Sequence, residues 1–189
     1  MVSDSTANAF ICLRVPDGLV DALADLQQQC RDRVDPQNRE HLHITLGFLH
    51  EADERKLADA RALVSDGKWA APLIRLTGEV RHGSWALKKN PAYRYDEETV
   101  QKGEQVRLGV EYSDELRHIQ EEITQGLDIV EKDFWPHVTL GLAMEDFPPA
   151  AVGDLRLPSE SGPAPSVDVQ QEASSVEFTT LISKELPSR

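Results

Sequence analysis

An α+β fold with an internal duplication is predicted for this 189-residue chain. Two observations predict it. Segments with strand-like and helix-like periodicity follow the order strand-helix-strand-helix-strand-strand, then strand-helix-strand, then a final strand. One hexapeptide also recurs, as His43-Ile-Thr-Leu-Gly-Phe48 and His137-Val-Thr-Leu-Gly-Leu142, each time closing a strand-helix-strand unit.

The run Ala9 to Val15 is apolar and β-rich, and Pro16-Asp17-Gly18 breaks it. From Asp17, a stripe of Leu19, Val20, Leu23, Leu26 and Gln27 predicts a helix to about Arg31, and Asp35 to Asn38 reads as a loop. His41 to Leu49 alternates as a strand. Glu51 to Val64 follows as a helix with Leu57, Ala60, Leu63 and Val64 on one side, ended by Gly67. Leu73 to Arg81 and Trp85 to Lys88 are predicted strands around a Gly83-Ser84 turn, and the charged stretch 89–103 is a predicted mobile loop. Val106 to Tyr112 reads as a strand. Ser113-Asp114-Glu115 supplies a helix start before Leu116, Ile119 and Ile123, with Gly126 as the stop. Phe134 to Leu142 is a strand. Five prolines between Phe147 and Ser166 predict a long irregular surface crossover, since proline removes ladder donors, and Val176 to Leu186 closes the chain as a strand.

With 40% hydrophobic residues the chain can bury a core of its own. No apolar run approaches the ~20 residues that span a bilayer, and the first residues lack a positive segment followed by an apolar one. The expectation is a cytoplasmic monomer with no membrane contact. Cys12 and Cys30 read as two reduced thiols. The net charge of −13 repels long polyanions, so extended DNA or RNA binding is not expected; a nucleotide or an RNA end could still enter a locally basic pocket.

The hexapeptides carry the chemistry. Side chains alternate across a strand, so His43 and Thr45 share one face and His137 and Thr139 share another, while Ile44, Leu46, Val138 and Leu140 face inward. Four polar side chains cannot be buried unpaired without cost, and a shared cleft resolves this. Two histidines across a cleft form an acid–base pair near neutral pH: the neutral ring takes a proton from water or a hydroxyl, and the protonated ring gives one to the leaving oxygen. Each threonine hydroxyl can hold a phosphoryl oxygen. Such a site needs neither a metal nor a cofactor.

Other histidines and aromatics read more weakly. His41 shares a face with His43, yet no companion Asp or Cys stands at zinc-ligand spacing, and a strand-entrance role is the better account. His50 and His118 read as surface residues. His82, Trp85 and Tyr93 are candidate substrate-binding residues, the aromatic rings because they can stack on a base. Arg81, Lys88 and Arg107 could offset phosphate charge, and solvated faces explain them equally well.

The sequence resembles the 2H phosphoesterases, which include the 2′-5′ RNA ligase-like proteins and the 2′,3′-cyclic phosphodiesterases. Leu42-His43-Ile44-Thr45-Leu46 and Pro136-His137-Val138-Thr139-Leu140 are similar to the family's paired motifs, Phe10 to Pro16 to its first strand, and Trp135-Pro136-His137 to the approach to its second motif. The resemblance spans about residues 8–143. It implies one bilobal domain over residues 1–189, with pseudo-symmetric lobes, each an antiparallel sheet with helices on its outer face, around a central cleft. Its motif strands are 41–49 and 134–142, and 147–166 is the Pro-rich connection. It implies a metal-independent phosphodiesterase with His43, Thr45, His137 and Thr139 as catalytic residues and Trp135 beside them as a further substrate contact. The expected substrates are 2′,3′-cyclic phosphates or 2′-5′ linkages of nucleotides or RNA ends. Many relatives carry a basic residue soon after the second motif, where this chain has Gly141-Leu142-Ala143. The alternatives are a non-catalytic nucleotide or RNA-end binding module of the same fold, or a 2′-5′ RNA ligase.

Overall fold

The computed structural model describes residues 7–83, 105–144, 155–173 and 178–188. The apolar run near the start forms β1 (Ala7–Arg14), buried from Ala9 through Leu13, as suits a strand covered on both faces. The Pro16 carbonyl accepts from the amides of Leu19 and Val20 and opens α1 (Asp17–Gln29). Three residues, Val34–Pro36, then form β2, where a loop was expected. A single 3-10 turn over Arg39–His41 delays β3 to His43–Ala52, because the Asn38 side chain accepts from the Glu40 amide and holds the turn. Helix α2 (Glu54–Asp66) starts where Asp53 caps the Lys56 amide, three residues later than periodicity placed it.

The next strands are β4 (Leu73–Ile74), β5 (Leu76–Gly83) and β6 (Gln105–Val110). Ser113 caps the Leu116 amide to begin α3 (Asp114–Gly126). Then come β7 (His137–Ala143), β8 (Gly162–Pro163), β9 (Ser166–Glu172) and β10 (Phe178–Glu185). Strand β7 starts at His137 rather than Phe134 because Pro136 has no N–H for the ladder; its carbonyl accepts from Val110 instead. The expected strand at Trp85 to Lys88 and the charged loop 89–103 lie outside the described residues, as does the Pro-rich stretch up to residue 154.

Two four-stranded antiparallel sheets result, in the orders β10-β9-β1-β3 and β2-β7-β6-β5, with β4 and β8 as a separate pair. Helix α2 covers β10, β9 and β3. Helix α1 leaves β1 of the first sheet and lies against β7 of the second, while α3 leaves β6 of the second and lies against β3 of the first. This exchange draws β3 and β7 together. One continuous apolar core runs through both sheets, from Ile11, Leu13 and Val167 to Leu108, Val138 and Leu140. Among the described residues no helix is long and apolar enough to cross a membrane.

The duplication reaches into the register. In the first sheet Cys12 faces Thr45 and Ile11 faces Gly47, so Leu46 is skipped. In the second Arg107 faces Thr139 and Val106 faces Gly141, so Leu140 is skipped. The shared Leu-Gly of the hexapeptides is thus a β-bulge in both halves. At the second bulge the Leu140 carbonyl accepts from the Gln37 amide and from Nε2 of buried Gln27, which ties β2 and α1 to the motif strand. Close approach explains the glycine itself: a Cβ on Gly141 would lie 2.1 Å from the Asp35 carbonyl oxygen.

Candidate active site

Each motif histidine is oriented by backbone two residues earlier. Nδ1 of His43 lies 2.7 Å from the His41 carbonyl oxygen, and Nδ1 of His137 lies 2.8 Å from that of Trp135. A carbonyl only accepts, so Nδ1 carries the proton in both rings and Nε2 is the nitrogen without one in the neutral form. Nε2 of His43 meets the Thr45 hydroxyl at 3.1 Å. The repeated element is the ring turned back to its own chain through Nδ1, with the threonine two residues on along the same strand face.

Aromatic rings hold both imidazoles flat. Phe10 stacks on His43 at 4.8 Å between centroids, and Phe178 stands edge-on to Phe10 at 5.1 Å and to His41 at 4.8 Å. Trp135 stacks on His137 at 5.2 Å and 19°, and the Arg81 guanidinium covers the indole's other face at 4.0 Å. Glu79 accepts from the Trp135 N–H and pairs with Arg81, closing that stack.

His43 senses the charge of His137. Burial pushes the His43 pKa from 6.5 down to about 4; its bond to the His41 carbonyl opposes this, and the neighbouring charge of His137 adds to it. Burial also lowers His137; its bond to the Trp135 carbonyl opposes this, and the positive charges of Arg107 and Arg81 add to it. Both imidazoles are therefore held toward the neutral form.

Beyond the motifs the halves differ in charge. Across the first sheet, Thr45 is followed by Cys12, Asp168 and Ser183. Asp168 is 1% exposed, and its Oδ1 accepts from the hydroxyls of Ser166 (2.8 Å) and Ser183 (2.6 Å); Arg14 stands 4.0 Å away. Burial, then the Asp168 charge, pushes the Cys12 thiol up. Across the second sheet, Thr139 is followed by Arg107 and Arg81. One rank is acidic, the other basic.

The structure thus brings His43, Thr45, His137 and Thr139 onto two adjacent strands, with Trp135 against His137. It does not bring His82 there. His82 pairs with Val106, which in turn pairs with Gly141, one position out of step with Arg81, Arg107 and Thr139, so it belongs to the other face of the sheet. Trp85 and Tyr93 lie outside the described residues. His41 precedes the strand, His50 lies exposed within β3 against Phe48, and His118 sits on α3 near Glu122. Sequence reasoning missed Asp168 and Phe178; the alternation of Val167 and Val169 with Asp168 and Gln170 was the available signal.

Residues 13–93 match the family model described as LigT like Phosphoesterase. The whole chain also superposes on solved structures with that fold. The chain has a LigT-like fold. Escherichia coli LigT complexed with 3′-AMP is similar at TM-score 0.66 and 16% identity, over 97% of this chain and 99% of that one. The apo form of Escherichia coli LigT gives 0.68 and 16%, over 98% and 99%. The Thermus thermophilus protein TT0787 gives 0.67 and 20%, over 96% and 99%. No curated protein matches this chain significantly.

Proposed function

We propose that the chain is a phosphodiesterase that opens 2′,3′-cyclic phosphates or cleaves 2′-5′ linkages of nucleotides or RNA ends, working as one bilobal domain. The observation that carries this is the repeated anchoring of two imidazoles, each held through Nδ1 by a backbone carbonyl and each with a threonine hydroxyl on the same face, with the charge of His137 felt at His43. His43, the ring burial holds at about 4, is the base. Its Nε2 takes a proton from water, or from a ribose hydroxyl, and that oxygen attacks phosphorus. The bond from phosphorus to the leaving oxygen breaks, and His137, protonated once an anionic phosphate offsets Arg107 and Arg81, gives its Nε2 proton to that oxygen. The Thr45 and Thr139 hydroxyls donate to the non-bridging oxygens.

The solved neighbours support a nucleotide phosphate as the ligand, since Escherichia coli LigT is described in complexes with 3′-AMP, phosphate and ATP. The net charge of −13 favours a small substrate or a chain end over a long polyanion. The test is turnover of 2′,3′-cyclic AMP and of 2′-5′ oligoadenylate. His43→Ala and His137→Ala should each lower kcat by about 10²- to 10⁴-fold without altering the fold, with chelator making little difference. Full activity in either variant would end the proposal.

A further inference from the structure

We propose that Arg107, reaching the site from the strand beside the second motif, is the residue that binds a non-bridging oxygen of the phosphoryl group. This rests on the phosphodiesterase reading and adds the cation that the sequence left unassigned.

The stretch after the second motif cannot supply that cation. Gly141, Leu142 and Ala143 are neutral, they pair with Pro36, Asp35 and Val34 of β2, and the glycine has no room for a side chain. The cation comes from across the sheet instead. Val106, Leu108 and Val110 are the buried side chains of β6, so Arg107 points to the opposite face, the face of Thr139. Residues directly opposed in such a ladder have Cβ atoms about 5 Å apart, so the guanidinium and the Thr139 hydroxyl serve one oxyanion.

Arg107 is half-buried, and its side chain donates to the neutral Gln105 amide oxygen at 3.0 Å. Among the described residues no carboxylate pairs with it. Burial alone lowers its pKa, the mark of a cation whose desolvation is not offset. A bound phosphate would offset it, through a planar fork that suits two oxygens. Arg81, one strand further out, is already engaged by Glu79 and the Trp135 ring. The pseudo-symmetric position in the first sheet is Cys12, which is neutral; the cation of that half, Arg14, stands opposite His43 with Asp168 as its carboxylate partner, so the cation without a carboxylate partner lies on the His137 side. The phosphoryl oxygens are therefore drawn toward the second motif, and the attacking oxygen is left to the His43 side.

The experiment titrates inorganic phosphate into the full chain and follows the His43 and His137 ring protons by NMR. The wild type, Arg107→Gln, Arg107→Lys and the surface control Arg61→Gln are compared, with kcat and KM for 2′,3′-cyclic AMP measured beside each. Arg107→Gln should weaken phosphate binding about 10- to 100-fold, with Arg107→Lys between and Arg61→Gln unchanged. Chemical denaturation should show Arg107→Gln at least as stable as the wild type, because a half-buried charge without a carboxylate partner has been removed. Phosphate binding and turnover in Arg107→Gln within threefold of wild type would overturn the role of Arg107 and leave the phosphodiesterase reading standing. A wild type whose two histidines ignore phosphate would overturn both.

Discussion

Lowering the pH should unfold this protein partly through a single side chain, His43. In the unfolded chain its imidazole titrates near 6.5, and in the fold near 4. Between those values the unfolded chain binds a proton that the folded chain refuses, so stability is complete above about pH 6.5 and falls as pH drops toward 4. The full difference, 6.5 to about 4, corresponds to about 3 kcal/mol, lost at up to ~1.4 kcal/mol per pH unit. That figure is a ceiling, since the ring keeps some exposure to water. His43→Asn keeps a donor for the His41 carbonyl and cannot titrate, so comparing its denaturation curves with the wild type at pH 4.5, 5.5, 6.5 and 7.5 isolates the contribution. The variant should be flatter below pH 6.5. Parallel curves, or a His43 ring proton that titrates within half a unit of 6.5, would refute this reasoning.

Three further outcomes are expected. Gly141→Ala should cost about 3 kcal/mol in chemical denaturation, because its new methyl would strike the Asp35 backbone at 2.1 Å, whereas Gly47→Ala meets only the tip of the Ile129 side chain at 2.9 Å and should cost about 1 kcal/mol. Asp168→Asn should lower stability by about 1–3 kcal/mol through its serine partners, and should move the His43 pKa further down in an NMR titration, since the Asp168 charge favours the protonated ring. The pH profile of kcat/KM should peak on the acid side of neutrality, because both imidazoles sit below their ordinary range; an optimum above pH 8 would contradict the assigned roles.

The motif strands and three helices were legible in the sequence because each rests on a local cause: alternation around His43 and His137, apolar stripes in the helices, and the Ser113 cap. The register that sets Arg107 beside Thr139 was not, since it depends on a bulge at Leu140 that only pairing reveals. Strand β2 left no mark because three residues with a proline carry no periodicity; it exists through its partner β7 and the Gln27 bridge. Strand β9 was hidden by the prolines before it, although Ser166 to Gln170 alternates plainly. The same shortfall separates His82 from Arg81. They are adjacent in sequence, and one step of register puts them on opposite faces.

The proposed chemistry requires one phosphate to touch two rings at once. A crystal structure of the protein soaked with 2′-AMP measures this directly. A phosphoryl group with oxygens within about 3.2 Å of Nε2 on both His43 and His137 is the predicted result. A phosphate bound to one ring alone, or lodged away from both, would contradict it.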